Sequence, residues 1–351
     1  MKAQKIMIDC ERMKYPHTGL YHYCAHLSKA LVELAPKENL CFYLPKKLEN
    51  IFGTDQCYLE QKPAHKLLFP STKNISIWHS THQSTDYYPF RKKLKVVLTI
   101  HDLNYLYDQS KSEKKKKKYV EDIQRKIDRA DHIVAISKFS LQDVEQHFNL
   151  SNKRTSIIYN GCNIEEVKTS HVLAFALNKP FLFTIGTIVE KKNFHVLPPL
   201  LQNNDYCLII AGITHSQNYK ERIMAIAREY SVEDRVIFTG AVTEADKQWY
   251  YQHCKAFVFP SISEGFGLPV IEAMYFGKPV ILSTHTSLPE IGGDAAYYFN
   301  SFEPYAMQQT LEESLHHYEQ HDRSVFIKQR ASLFSWKESA RQYLDIYRSL
   351  F

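Results

Sequence analysis

The stretch Ser261-Ile262-Ser263-Glu264-Gly265-Phe266-Gly267-Leu268-Pro269-Val270-Ile271-Glu272 sets two carboxylates beside a glycine loop that opens a helix. The apolar residues 256–259 ahead of it read as a short buried strand. Gly277-Lys278-Pro279 and the apolar residues after it read as a helix stop and a further strand. Pro269 suits a first helical turn, so the amides around Gly267 and Leu268 would stabilise an anion such as a diphosphate. Glu272 is then expected in that first turn. A carboxylate is repelled by phosphate, so Glu264 and Glu272 are better placed to accept hydrogen bonds from sugar hydroxyls on either side of a diphosphate. The plainer reading makes Glu272 a complement to the helix dipole and Glu264 a solvated loop acid.

Such a grip needs a scaffold that presents loops at strand ends. Short apolar runs alternate with amphipathic ones over residues 5–9, 20–34, 40–44, 75–79, 96–100, 115–129 and 133–136. The alternation resumes over 181–185, 206–211, 219–230, 236–239, 257–259 and 280–283. This βαβ rhythm predicts two doubly wound halves, whose ligands bind beyond the carboxyl ends of the strands. The polar turn Asn160-Gly161-Cys162-Asn163 and the later Asn178-Lys179-Pro180 bracket a boundary, giving domains over 1–170 and 171–335. Residues 336–351 have the apolar spacing of a separate terminal helix.

With 351 residues and 44% hydrophobic content, the chain can fill two cores. No run of eighteen apolar residues occurs, and the start is too short and too charged for a signal peptide, so a cytoplasmic location is expected. The seven cysteines are scattered, without any Cys-x-x-Cys pair, and read as reduced thiols. Residues 1–170 carry 28 Lys and Arg against 19 Asp and Glu, leaving 16 against 19 in the remainder. A basic first half suits anionic partners such as a phospholipid surface or a lipid diphosphate, and nucleic acid is not expected. Its densest run, Lys114, Lys115, Lys116, Lys117 and Lys118, is either a solvated helix face or a membrane contact.

Several motifs together resemble the retaining glycosyltransferases of the glycogen synthase and bacterial mannosyltransferase type, whose Glu-x7-Glu motif matches Glu264 to Glu272. The first strand with Asp9, Arg12 and His17-Thr18-Gly19-Leu20-Tyr21 is similar to that family's opening strand and glycine loop. Thr99-Ile100-His101-Asp102 resembles its His-Asp strand end. Residues 130–137, Tyr159-Asn160-Gly161, Gly186-Thr187 with Lys192-Asn193, and Ser287-Leu288-Pro289-Glu290 follow in the family's order, so the likeness spans nearly the whole chain.

The resemblance implies a GT-B fold, two Rossmann-like domains facing each other across a cleft, with the terminal helix crossing back to the first. It implies catalytic roles for His101, Lys192 and Glu264. Donor-binding roles fall on Gly19, Ser137, Gly186, Thr187, Lys191, Lys192, Glu264, Gly265, Phe266, Gly267, Leu268 and Glu272. Glu264 would hold the transferred hexose and Glu272 the nucleotide ribose. Many relatives carry an arginine directly after the glycine where Thr187 stands, so either Lys191 or the Thr187 hydroxyl replaces that contact. His101 is expected at an exposed strand tip, against the alternative of a core histidine.

No Asp-x-Asp pair is present, so no cofactor and no metal are expected, the nucleotide sugar being a substrate. His22 and His26, four apart, lack further ligands at a metal-site spacing and read as helix packing. Tyr21, His79, His82 and Tyr105 are candidates to line an acceptor pocket. The expected activity is metal-free transfer of a hexose, mannose by the motif likeness, to a bacterial surface-polysaccharide or lipid-linked saccharide acceptor, at the inner face of the membrane. Three alternatives stand beside it, the first being UDP-glucose or another hexosyl donor used by the same mechanism. A dinucleotide oxidoreductase needs a Gly-x-Gly-x-x-Gly that the Gly265-Phe266-Gly267 run does not complete. A non-catalytic nucleotide-sugar-binding partner would need none of the catalytic side chains.

Overall fold

The computed structural model describes residues 5–16, 18–36, 39–91, 93–164 and 178–351. His17 of the glycine loop and the expected boundary at 170/171 lie outside the described residues. The chain divides into two compact units, Met1–Gly161 with Ser335–Phe351, and Cys162–Phe334. The division therefore falls directly after the Asn160-Gly161 turn, ahead of the expected position.

Unit 1 contains strands β1 (Lys5–Asp9), β2 (Asn39–Leu44), β3 (Cys57–Glu60), β4 (Ile75–Ser80), β5 (Lys95–Ile100), β6 (His132–Ala135) and β7 (Arg154–Ile157). They form one sheet in the order β3-β2-β1-β4-β5-β6-β7, and every pairing is parallel. Its helices are α1 (Gly19–Leu34), α2 (Asn104–Tyr107), α3 (Glu113–Arg129) and α4 (Lys138–His147), with the chain's last helix, Trp336–Leu350. Side chains in register share a face. Met7, Trp78 and Val96 therefore lie together on one side, and Ile8, His79 and Val97 on the other. Ile123 and Ile127 of α3 join the Val96 side. Tyr343 and Tyr347 of the last helix meet His79 on the opposite side, at ring distances of 4.7 and 5.8 Å.

Unit 2 repeats the plan with β8 (Phe181–Ile185), β9 (Cys207–Ala211), β10 (Val236–Gly240), β11 (Ala256–Phe259), β12 (Val280–Ser283) and β13 (Tyr297–Phe299), in the order β10-β9-β8-β11-β12-β13. Its helices are α5 (Gln217–Glu229), α6 (Glu244–His253), α7 (Leu268–Tyr275), α8 (Leu288–Gly292), α9 (Pro304–Gln320) and α10 (Ser324–Ser332). The last helix is then α11. Buried Tyr219 and Ile223 of α5 and Met307 and Leu311 of α9 share a core with Leu182, Leu208 and Val258. Tyr251 of α6 packs on Phe183 and Phe257 from the other face. Near-continuous apolar strands are what a parallel sheet buried on both faces requires.

The cysteines depart from expectation. Cys41 and Cys57 are register partners on β2 and β3, with Cα atoms 4.4 Å apart, and form a disulfide. Cys10, Cys24, Cys162, Cys207 and Cys254 are free thiols, as read from the sequence. No helix among the described residues is long and apolar enough to cross a membrane.

Candidate functional site

Strand order in unit 2 reverses direction between β8 and β11, where an open parallel sheet leaves a crevice beyond its strand ends. The two segments leaving these strands carry the candidate residues. β8 runs into Gly186 and Thr187, and then into a 3-10 turn, Glu190–Lys192, closed by Asn193 in the left-handed conformation. Gly186 packs backbone to backbone on Gly212, at the end of β9. A Cβ on Gly212, where φ is +128°, would stand 2.1 Å from the Gly186 carbonyl oxygen.

The turn aims Lys192 back across the end of β11. Its Nζ lies 2.6 Å from Glu264 Oε1 and 4.8 Å from the centre of the Phe259 ring. Ser261 Oγ is 2.6 Å from the same carboxylate oxygen and 3.0 Å from the Lys191 carbonyl, which also accepts the Ile262 amide at 2.9 Å. Burial alone would push the Glu264 carboxyl up. The Lys192 and Lys191 charges and the hydrogen bonds from Lys192 and Ser261 outweigh it and hold the pKa below its ordinary value. Glu264 is therefore ionised at neutral pH. Its loop is pinned from the β12 side, where Thr286 Oγ1 accepts the Glu264 amide and Ser287 Oγ sits 3.0 Å from the carbonyls of Glu264 and Phe266.

Gly267 caps α7 with φ at +104°, a conformation that favours glycine, and Pro269 follows in the first turn. Glu272 is the fifth residue of α7, so its expected place in the first turn is corrected to the start of the second. It is 4% exposed. Its Oε1 accepts from Asn163 Nδ2 at 3.1 Å and faces Lys247 Nζ at 3.5 Å, while Oε2 accepts from the Tyr251 hydroxyl at 3.0 Å. Lys247 also reaches Glu244 at 2.8 Å. Burial would lower the Lys247 pKa, but the Glu272 and Glu244 charges raise it. Two carboxylates thus flank the start of one helix, each oriented by a lysine and by a hydroxyl.

Sequence comparison supplies the family. Residues 167–330 match the family model described as "Glycosyl transferases group 1", and residues 61–166 match "Glycosyltransferase Family 4". The chain belongs to these glycosyltransferases. It is 26% identical to the O-antigen chain mannosyltransferase B of Escherichia coli, over 99% of this chain and all of that one. It is 30% identical to the serotype-specific mannosyltransferase WbdA of E. coli over 64% of this chain, a match that spans only 29% of that longer protein. The fold superposes on sucrose-phosphate synthase from Thermosynechococcus elongatus with a TM-score of 0.76 at 19% identity, covering 99% of each chain. Both units are those of a GT-B glycosyltransferase.

In this glycosyltransferase, Gly186, Thr187, Lys191, Lys192, Glu264, Gly265, Phe266, Gly267, Leu268 and Glu272 all sit on the segments that leave β8 and β11 or on α7. The remaining candidates belong to unit 1 and are described within it. Gly19 is the exposed first residue of α1, next to the Thr18 cap. His101 directly follows β5, but it is 6% exposed rather than at an open tip. Its Nε2–H donates to the Thr81 carbonyl at 2.8 Å, and Tyr23 packs edge-on at 4.6 Å. Burial lowers its pKa to about 4, against the Thr81 hydrogen bond and with help from Arg12.

Two candidates are corrected. Ser137, expected at the donor, is fully buried as the cap of α4, its Oγ accepting the Ser140 amide at 3.0 Å. His79, expected in an acceptor pocket, is fully buried between Thr99 Oγ1 at 2.8 Å and the Tyr347 hydroxyl at 2.6 Å, and so packs α11 onto the sheet. His82, Tyr21 and Tyr105 keep half-exposed positions. Tyr105 stacks on Tyr119 at 4.7 Å, and Tyr21 meets His22 edge-on at 5.5 Å. Burial and the neighbouring His101, Arg12 and Lys126 charges hold His82 well below its usual pKa. His22 and His26 stack on each other, and His26 on Trp336. Among the described residues no three His, Cys, Asp or Glu side chains gather around a point that could hold a metal ion. In the pentalysine run Lys114, Lys115, Lys117 and Lys118 are exposed, and Lys116 is half buried beside Glu113 at 3.3 Å.

Sequence reading missed Asn163, Lys247, Tyr251, Ser261 and Gly212. Asn163 lay in a turn read only as a boundary. Lys247 and Tyr251, four apart and so on one face of α6, were the available signal, because a lysine on a helix face shared with buried aromatics needs an acid partner.

Proposed function

We propose that this glycosyltransferase retains anomeric configuration, takes a nucleotide-sugar donor, with mannose as the sugar, and needs no metal ion. The acceptor is a saccharide of a bacterial surface polysaccharide or lipopolysaccharide, or a lipid-linked saccharide. The observation that carries this reading is the Lys192–Glu264 pair at the switch point of unit 2. A donor diphosphate competes with Glu264 for Lys192, and each contact it takes frees the ionised Glu264 carboxylate for the hydroxyls of the transferred hexose. Glu272, held by Lys247, Tyr251 and Asn163, then receives the ribose hydroxyls.

In the reacting complex the acceptor hydroxyl attacks the anomeric carbon on the face from which the diphosphate departs. The C–O bond to the diphosphate breaks, and the acceptor proton passes to the leaving diphosphate oxygen. Lys192 and the amides at the start of α7 stabilise the charge that grows there. No carboxylate acts as a nucleophile. Sugar and acceptor follow the O-antigen chain mannosyltransferase B and the serotype-specific mannosyltransferase WbdA of E. coli, to which the chain is similar. The exposed lysines of α3 support contact with an anionic membrane, where a lipid-linked acceptor resides.

A thermal-shift panel of GDP, UDP, ADP and CMP and their sugars, followed by donor hydrolysis with and without a chelator, tests the reading. One nucleotide family should raise the melting temperature through linkage, and its sugar should be hydrolysed equally in chelator. A response to NAD in place of every nucleotide sugar, an inverted product linkage, or a covalent sugar on a carboxylate would overturn it.

A further inference from the structure

The two most exposed large apolar side chains among the described residues are adjacent, Leu67 at 97% and Leu68 at 79%. Neither belongs to the donor site. They follow a 3-10 turn, Pro63–Lys66, that leaves the edge strand β3. The root of this turn is fixed, with His65 Nδ1 3.1 Å from the Tyr43 hydroxyl and Phe69 packed on Trp78 at 4.8 Å. The amides of Leu67 and Leu68 both donate to the Ala64 carbonyl, at 3.1 and 2.9 Å, so the tip offers leucine side chains with their own N–H groups already bonded. Bonded amides lower the cost of entering an apolar medium.

The surroundings decide which medium. From Gln61 to Lys73 the sequence has Lys62, His65, Lys66 and Lys73 and no acidic residue. The turn is joined through Lys66–Asp86 at 2.5 Å to the loop after β4, and that loop is joined through the Gln83 carbonyl to Lys126 of α3 at 2.9 Å. The same helix carries Lys114 to Lys118 in its first half, near the positive end of the dipole, where cations cost stability. A paired apolar tip in a lysine-rich surround, with Asp86 already paired to Lys66, matches an anionic bilayer, with leucines entering the acyl boundary and lysines meeting the headgroups.

We propose that Leu67 and Leu68 form an insertion prong by which unit 1 docks on membranes containing anionic lipid. This rests on the reading of α3 as a membrane-facing helix and adds an apolar anchor to it.

The test is sedimentation of the full chain with vesicles of neutral phosphatidylcholine, alone or with a third phosphatidylglycerol, for wild type and for the double variant Leu67→Ser, Leu68→Ser. Wild type should bind the anionic vesicles and release with rising salt, and the variant should bind about ten-fold or more weakly with unchanged melting temperature and donor hydrolysis. Equal binding of both proteins would overturn the prong while leaving a lysine contact standing. Absence of wild-type binding, or equal binding to neutral vesicles, would overturn the membrane dock altogether. Wild-type self-association that the variant loses, without any vesicle effect, would assign the leucines to a second copy and overturn it also. None of these outcomes bears on donor binding, which the nucleotide panel reads separately.

Discussion

Lys192 and Glu264, 72 residues apart in the chain, meet at 2.6 Å because two neighbouring strands of one sheet end beside each other. Each side chain is little exposed, 11% and 13%, so each depends on the other for charge compensation. A charged ligand that binds one must therefore rearrange the other.

Replacing Lys192 by Ala should lower kcat by about 10²–10³-fold, since it removes the fixed cation from the leaving group. Glu264→Gln should behave differently. Binding of the nucleoside diphosphate, measured by calorimetry, should be kept or tightened, because Lys192 no longer has a competing anion, while turnover of the full donor falls. Equal loss of diphosphate binding in both variants would refute the exchange of partners.

Glu272 is oriented from three sides, and the contributions should separate. Tyr251→Phe removes one buried hydrogen bond, at a cost of about 1–3 kcal/mol in unfolding free energy. Lys247→Met should weaken nucleotide binding with little effect on kcat at saturating donor, as expected of a positioning residue. A drop in kcat alone would contradict that role.

Gly212→Ala should destabilise unit 2. The backbone conformation costs about 1–3 kcal/mol for a non-glycine residue, and contact with the Gly186 carbonyl adds to it. Because Gly186 precedes the Lys192 turn, donor affinity should fall as well. Chemical denaturation together with the nucleotide titration reads both effects.

Acid should weaken unit 1. Burial, aided by the His101 charge, lowers the His79 pKa to about 3, and burial lowers that of His101 to about 4, against 6.5 when unfolded. Depressed histidines favour the folded state fully above pH 6.5, and that stability is lost as pH falls from 6.5 towards 4, at about 1.4 kcal/mol per pH unit per group. Asp9 acts oppositely. Burial, with the Glu11 charge, raises its pKa to about 7, so it favours folding below pH 4 and loses that contribution as pH rises to 7. Two histidines outweigh one aspartate, so the melting temperature should fall from pH 7 to pH 5. Asp9→Asn should steepen the fall, and an unchanged slope would show that Asp9 does not titrate there.

Most strands and the principal helices were legible because buried parallel strands are nearly uniform apolar runs. β1, β8 and β12 match their expected spans, while β3, β7 and β13 were missed because each is short and only partly buried. The segment from Glu264 to Glu272 was legible for a related reason. Gly267 in the left-handed conformation, with Pro269 in the first turn after it and an apolar helical run beyond, leaves few local alternatives to a helix start here.

By itself, then, the sequence determined two doubly wound halves and the glycine-opened helix, since these follow from local conformation and alternation of apolar runs, while the lysine that faces this helix was implied by the family resemblance. Tertiary structure alone decided which side chains share a charge. It joined Lys247 and Tyr251 to Glu272, closed Cys41 on Cys57, moved His79 and Ser137 from candidate ligands to core and cap, and left Leu67 and Leu68 exposed. Strand order and helix packing set those contacts, bringing together residues 268 positions apart in the His79–Tyr347 hydrogen bond. A residue's type and spacing cannot state which strand will lie beside its own.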